Sequence, residues 1–289
     1  MKQLVFTLIF ISSIALLHAQ EQKTDRKPKK FHIGLSYVYI NADLELCDMT
    51  HESKIGEAEL DPFNLSEEDL DDLNSFMKWN NQTQSLCLSF GMFLLNKTDS
   101  RWQIDANLIF GLSKMRYLVR DTRNDTAEQI SKTGFCKPTV GVEFKVKYAF
   151  NNLWGILVEP CFIYSWGELT PTKDRLNAGL ENFTISREHD FHYIYSRINV
   201  MASYTHKRFS FSIGPGLYYL FFTNRYKLVR TNQLSGSTTE DLTTSQLHSK
   251  FPLDGVLDVT WRMMDPLTFH VECAIGSDVR IQSGIFFNF

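Results

Sequence analysis

Read in steps of two, the chain separates into faces. Between positions 102 and 112 the even positions are Trp102, Ile104, Ala106, Leu108, Phe110 and Leu112, while the odd ones include Gln103, Asp105 and Asn107, with Ser113 following. Between 136 and 150 the even set is Cys136, Pro138, Val140, Val142, Phe144, Val146, Tyr148 and Phe150, against Lys137, Thr139, Glu143, Lys145 and Lys147. A strand sends successive side chains to opposite faces, so each segment predicts a strand with one apolar and one charged face. The same alternation predicts strands near 31–43, 83–95, 102–118, 135–150, 153–168, 190–205, 208–226, 250–263, 267–276 and 280–289. Many exceed the usual length of a soluble strand and approach what a tilted strand needs to cross a bilayer.

The connections fall into two kinds. Short ones are predicted at 96–101, 151–152, 206–207 and 264–266. Long ones fall at about 44–82, 121–134, 169–189 and 229–249, with a short exception near 277–279. Short turns at one end and long loops at the other are the pattern of an up-and-down antiparallel transmembrane β-barrel, here of about ten strands. An even strand count puts both termini at the short-turn end. Trp102, Trp154 and Trp261 sit close to short turns, with Phe150, Tyr204, Phe287 and Phe289 nearby. Tyr39, Tyr117, Trp166 and Tyr219 fall towards the other end. Amphipathic rings favour the headgroup level, so two aromatic belts are expected to flank an apolar band. Pro138, Pro160, Pro215 and Pro252 fall inside the expected strands, where bulges or rim positions are the usual accommodation.

Composition changes the picture in two places. A net charge of −3, without a clustered basic excess, speaks against a nucleic-acid binder. The mean hydropathy of −0.21 argues against a bundle of membrane helices, and no window beyond the N-terminus approaches a spanning helix. It does not argue against a barrel, whose lipid face is averaged with a polar lumen and loops. Aromatic residues make up 13% of the chain, enough to furnish the belts.

Residues 1–19 combine an early lysine, a short apolar run and a small residue, Ala19, before the expected cut, the pattern of a secretory signal peptide. Residues 20–30 then read as a short periplasmic segment and 31–289 as the barrel. Cys47, Cys87, Cys136, Cys161 and Cys273 are odd in number and irregular in spacing, so they predict neither a disulfide framework nor a zinc site.

A secreted β-sandwich or a lipocalin-like barrel also alternates, with its apolar face inward. Strand length, loop asymmetry and tryptophans beside turns weigh against it, and so does the C-terminus. There Ile281, Ser283, Ile285, Phe287 and Phe289 alternate up to a terminal Phe. This run, above all Ile285, Phe287 and Phe289, resembles the C-terminal assembly signal of outer-membrane β-barrel proteins. Together with the Leu-His-Ala-Gln end of the leader, the layout resembles the small Bacteroidota barrels of the PorT-like or OmpA-like type. That resemblance implies a location in the bacterial outer membrane, contact with its lipid, and handling by the barrel-assembly machinery.

If the apolar parity faces lipid, the other faces a lumen lined by Asp105, Lys137, Glu143, Lys145, Lys147, Glu159, Arg197, Asp254, Asp258, Arg262, His270 and Glu272, with His32. A bore of about ten strands is narrow. Paired charges with Tyr193, Tyr195 and Met201 are expected to fill it as a plug, although a ring of charges can also select permeants. Three arrangements resemble parts of enzyme sites. Asp190 and His192 share parity near the outer rim and resemble the Asp-x-His of omptin proteases, but they point to lipid and no opposing Asp pair can be placed. His248 and Ser249 are adjacent and so alternate faces. His270 and Glu272 share the lumen but have no serine partner. No catalytic residue and no cofactor is therefore expected.

The stretch 44–82 is expected to be an acidic outer loop, containing Glu45, Asp48, Glu52, Glu57, Glu59, Asp61, Glu67, Glu68, Asp69, Asp71 and Asp72, with Asp43 just before it. Only Lys54 and Lys78 oppose them. Ser66 followed by Glu67, Glu68 and Asp69 predicts a helix start, with Leu70, Leu73, Phe76 and Met77 on one stripe. The helix is expected to act as a lid, to dock a partner, or to help hold Ca²⁺, although no EF-hand spacing is present. Asp125-Thr126-Ala127 resembles the Bacteroidota O-glycosylation acceptor, and Asn182-Phe183-Thr184 is a sequon of little meaning in a bacterium. The expected function is a non-enzymatic outer-membrane barrel with a structural, assembly or secretion-associated role exercised through its outer loops. The alternatives are a narrow channel or a rim-site protease or lipid-modifying enzyme.

Overall fold

The structure is a computed structural model, and it describes residues 30–55, 58–59, 62–96, 100–123, 128–132, 137–171, 183–232, 235–249, 253–276 and 279–289. The leader at 1–19, Cys136, Pro252, the Asp125-Thr126-Ala127 site and Asn182 lie outside these residues.

One antiparallel sheet closes on itself. Its ring is built by β1 (Phe31–Ile55), β4 (Met77–Asn96), β5 (Trp102–Asp121), β7 (Lys137–Ala149), β8 (Trp154–Glu168), β10 (Phe183–His206), β11 (Phe209–Asn232), β13 (Leu253–Arg262), β14 (Leu267–Gly276) and β15 (Val279–Asn288), each paired with the next and β15 with β1. The ends of the described chain meet beneath the ring, where the Phe31 amide donates to the Phe289 carbonyl at 3.1 Å and the Phe289 amide returns to Phe31 at 2.9 Å. Ten strands therefore span the structure, as the alternation predicts.

Above the ring stands a narrower collar. The β14–β15 hairpin stops halfway, and β12 (Thr238–Ser249) takes its place, pairing with the upper part of β11 on one edge and with Leu44–Ile55 of β1 on the other. On the far side, β6 (Glu128–Lys132) continues the line of β7 and β9 (Thr170–Pro171) that of β8, and the two pair with each other. The collar thus has eight strands: β12, β1, β4, β5, β6, β9, β10 and β11. Here the structure differs from expectation. Most of 44–82, 169–189 and 229–249 was expected to be loop, yet β1 runs 25 residues, and β10 and β11 run 24 each.

The reason is a change of polarity along one strand. In the lower part of β1, Phe31, Ile33, Leu35 and Tyr37 point outward and are exposed, while His32 and Ser36 point inward and are buried. From Val38 upward the apolar residues switch to the inner face, as Val38, Ile40, Ala42, Leu44 and Leu46 are all buried and Asn41, Asp43 and Glu45 point outward. A strand facing lipid needs its apolar side out; once clear of lipid, the same strand must turn its apolar side in. The switch marks the upper limit of the apolar band, which is formed by outward residues such as Phe90, Phe110, Leu112, Phe144, Phe162, Ile198, Leu217 and Leu257.

Of the four prolines expected inside strands, three are among the described residues, and two of these need neither rim nor bulge. Pro138 is the second residue of β7, an end position. Pro160 and Pro215 lie in mid-strand, where they face outward; the ladder skips the neighbouring pairs and resumes without a change of register. Beside Pro215, the strands approach so closely that a Cβ at Gly214 would lie 2.1 Å from the Val200 carbonyl oxygen.

The acidic stretch also carries β2 (Ala58–Glu59), β3 (Phe63–Asn64) and one helix, α1 (Glu67–Phe76). Ser66 caps the helix reciprocally, since its hydroxyl accepts from the Asp69 amide at 3.2 Å and the Asp69 carboxylate accepts from the Ser66 amide at 3.1 Å. Leu65, Leu70, Leu73 and Met77 pack half-buried on the collar core beside Met49 and Val119. Phe76 instead carries the Arg123 guanidinium over its ring at 3.4 Å. Asn74 fastens the helix to a β-bulge between Leu46 and Asp48, donating to the Leu46 carbonyl at 2.8 Å and accepting from its amide at 3.0 Å. The helix therefore lays its apolar stripe on the collar's buried cluster and is tied to β1. The Ser66 side-chain and backbone bonds hold the Asp69 carboxyl below the ordinary aspartate range. A depressed carboxyl supports the cap above that range and loses it as pH falls through the lowered value. Carbon-13 NMR titration is expected to place Asp69 below the ordinary aspartate range, and Ser66→Ala to raise it towards that range.

Candidate functional site: the filled lumen

The lower lumen is a layer of charge. Arg197 on β10 lies at its centre and is buried. Its guanidinium donates to Glu143 on β7 at 2.8 Å and also to Glu272 on β14, with Gln282 on β15 at 3.5 Å. Arg280 on β15 joins the same Glu272 carboxylate at 2.6 Å and donates to the Tyr195 hydroxyl. Lys145 pairs with the fully buried Glu159 at 2.9 Å, and Asn199 lies between Glu159 and Glu272, 3.5 and 3.4 Å away. His270 bonds to Asp258. Asn107 donates to Glu143 at 3.3 Å and contacts His32, which lies 3.8 Å from Asp105. Ions taken out of water need partners, and the barrel wall supplies them from eight strands at once.

The other expected lumen residues lie around this layer. Lys147 donates to Thr205 at 2.7 Å towards the turn end. Asp254 is buried over Gly276, where a Cβ would meet its carboxylate, and Lys137 covers Gly167 near the outer end of β8. Arg262 does not join the layer, because it stands exposed where β13 ends at the short turn. Below the layer, Phe286 and Phe93 pack against His32 with ring centroids 5.9 and 5.1 Å away, and Phe286 also reaches His270 at 6.1 Å. Arg280, Gln282, Asn107 and Asn199 belong to the layer but were not singled out from sequence. The parity that sends Ile281 and Ile285 to lipid already puts Arg280 and Gln282 inside.

The upper lumen is apolar. Val38, Ile40, Ala42, Trp79, Met115, Tyr117, Phe191, Tyr193, Leu220, Phe222 and Leu247 form one buried cluster. Phe222 is 5.1 Å from Tyr117 and 6.1 Å from Phe191 between ring centroids. Met115, Leu220, Phe222 and Leu247 are 0% exposed, so they border no void that would admit water. The eight-strand collar is the size of ring that side chains alone can fill.

On the outside, Trp102 and Trp154 are exposed at the turn end beside Tyr148 and Tyr204, 4.7 and 4.9 Å away, and Trp261 stacks on Phe209 at 5.8 Å. Trp166 lies towards the collar, stacked on Tyr164 at 5.2 Å. Ile285, Phe287 and Phe289 all face outward. Asp190 and His192 are on the outer face of β10, where His192 Nδ1 meets the Tyr164 hydroxyl at 2.7 Å, away from the lumen. Ser249 points inward and accepts from the Leu220 amide at 3.3 Å while His248 points outward, so the two do not converge.

Among the described residues, the ligand atoms of Asp258, His270 and Glu272 are the one group of acidic, histidine or cysteine side chains close enough together for a metal. Their atoms are already engaged by one another and by Arg197 and Arg280. Of the described acids in 44–82, Glu45, Asp48 and Glu52 lie along the outer face of β1 and Glu67, Glu68, Asp69, Asp71 and Asp72 on the solvent side of α1 instead of converging.

A closed antiparallel ring, an apolar belt outside and ions inside define an outer-membrane β-barrel fold. The chain is similar to the translocator domain of the autotransporter NalP from Neisseria meningitidis, with 9% identity over 99% of this chain and 96% of that one and a TM-score of 0.40. It is also similar to OprG from Pseudomonas aeruginosa (12% identity, 91% and 98% covered, TM-score 0.36) and to the protease OmpT from Escherichia coli (7%, 93% and 99%, 0.40). No family model and no curated protein matches the sequence.

Proposed function

We propose that this chain is a sealed barrel of the bacterial outer membrane that acts through its collar and not by conduction. The observation that carries the reading is the double filling of the lumen, ionic below and aromatic above, with wall residues that water cannot reach. The collar supports a protein-binding role, because long paired strands and a tethered helix hold a defined surface outside the membrane. The resemblance to small Bacteroidota barrels of the PorT-like or OmpA-like type belongs to the same proposal, as do lipid and the assembly machinery as partners. Asp190 and His192, facing outward, give the protease alternative no support.

Reconstituted in planar bilayers, the protein is expected to give no steady conductance. A stable single-channel current would replace this reading with the narrow-channel one. Chemical cross-linking in native outer membrane is expected to join a protein to lysines of the collar, such as Lys54 or Lys78.

A further inference from the structure

The collar's outer face carries charge unevenly. Across β10, β11 and β12, cations and acids answer one another: Lys227 pairs with Glu240 at 2.7 Å, and Arg225 lies opposite Asp190 in register. Between β8 and β10 the facing residues are both acidic, Glu168 and Asp190. The β4–β5 face differs. There Lys114 and Arg116 are exposed two residues apart on β5, and among the described residues neither has an ion-pair partner. Their register partners on β4 are Gln84 and Gln82. Beyond β4, Asp43 of β1 is engaged by the Asn80 amide at 3.0 Å, and on the other edge of β5 Arg116 faces Lys132 of β6 in register.

The height of this group matters as much as its charge. Directly below Lys114 on the same outward face lie Leu112, Phe110 and Leu108, and below Gln84 lie Leu86, Leu88 and Phe90, all exposed. The last apolar residue and the first cation are thus neighbours on one strand, so the cations stand where the apolar band gives way to water. Residues i and i+2 of a strand are about 6.7 Å apart, a gap that a phosphate can bridge. Arginine offers its planar fork of donors, lysine a compact charge, and the two glutamine amides add further donors.

We infer that the β4–β5 face is a binding site for a phosphorylated lipid of the outer leaflet, its phosphate held by Lys114, Arg116, Gln82 and Gln84 and its acyl chains lying on Leu86, Leu88, Phe110 and Leu112. The inference rests on the outer-membrane reading, which puts the collar end outside. A cation near an anionic bilayer surface contributes about a fivefold factor in binding, so removing two is expected to weaken binding about 25-fold.

The test uses the full chain in phosphatidylcholine vesicles, with lipid A, dephosphorylated lipid A or inorganic phosphate as probes. Folding into vesicles, read by heat-modifiable electrophoretic mobility, is scored first and without lipid A; failure there sinks the barrel reading itself. For the folded protein, lipid A is expected to bind in titration, with the K114Q/R116Q double variant about 25-fold weaker and an R225Q/K227Q variant unchanged. Lys114 and Arg116 are exposed, so K114Q/R116Q is expected to fold. Equal binding by K114Q/R116Q and the unsubstituted chain overturns the inference. So does equal binding of dephosphorylated lipid A, which would mean that acyl chains alone are recognised, or saturation by inorganic phosphate at the same concentration, which would mean a site for free anion.

Discussion

Replacing Arg197 with leucine is expected to destabilise the barrel by about 3–5 kcal/mol, the cost of leaving buried charges without their partner. Arg197 stands between Glu143 and Glu272, and both carboxylates are buried. Arg280 remains to hold Glu272, but Glu143 keeps the weaker 3.3 Å bond from Asn107 and the charge of Lys145 two residues along β7. Urea unfolding from lipid vesicles, followed by tryptophan fluorescence, measures the loss. The cycle that adds Glu143→Gln is the sharper measurement. Once Arg197 is gone, neutralising Glu143 should restore part of the stability, whereas in the intact protein the same change should only cost. If Arg197→Leu unfolds with the parent, the layer is solvated and the lumen is wetter than its burial indicates.

The second large effect is expected in the collar. Truncating Phe191 and Phe222 to alanine removes two stacked rings that are almost wholly buried, and large-to-small changes of this kind cost about 3–5 kcal/mol each. The two residues touch, so the pair is expected to cost less than the sum. Conductance should nevertheless stay at zero, because the ionic layer lies in series beneath the aromatic one and is untouched by the change. Planar-bilayer recording of the double variant separates the two layers: current through F191A/F222A would mean that the rings alone seal the pore.

The lower half of the molecule was legible because one rule governs it. Where lipid surrounds the wall, alternation assigns each side chain to a face, and Leu108, Phe110 and Leu112 against Asn107 and Ser113 leave no ambiguity. Most lumen charges follow from that parity. What the parity could not give is partnership. That Arg197 meets Glu272 depends on shear around the ring, which brings residues 75 positions apart to one height, while His270 meets Asp258 diagonally across the β13–β14 hairpin. Arg262 shows the limit of parity from another side, since it has the inward phase but stands at the strand end, beyond the layer. The collar was misread for a physical reason. Val38 to Leu46 keep the same inward positions as His32 and Ser36 but exchange polar for apolar, so a search for one apolar phase loses the strand at that point. The outward Asp43 and Glu45 then look like the start of an acidic loop. Ser66 and its acids, by contrast, needed no tertiary information to mark the helix, because capping is local.

The halfway stop of the β14–β15 hairpin has a consequence for how the barrel can come apart. In a simple ring, one pair of strands forms the seam, and unzipping it opens the wall from end to end. Here β1 is zipped along the same edge to two different strands, over ten residue pairs to β15 and over eleven to β12. Releasing the C-terminal hairpin would leave the collar locked, and peeling β12 away would leave the membrane ring locked. No single strand pair closes this terminal seam, so opening the wall there requires two independent ruptures.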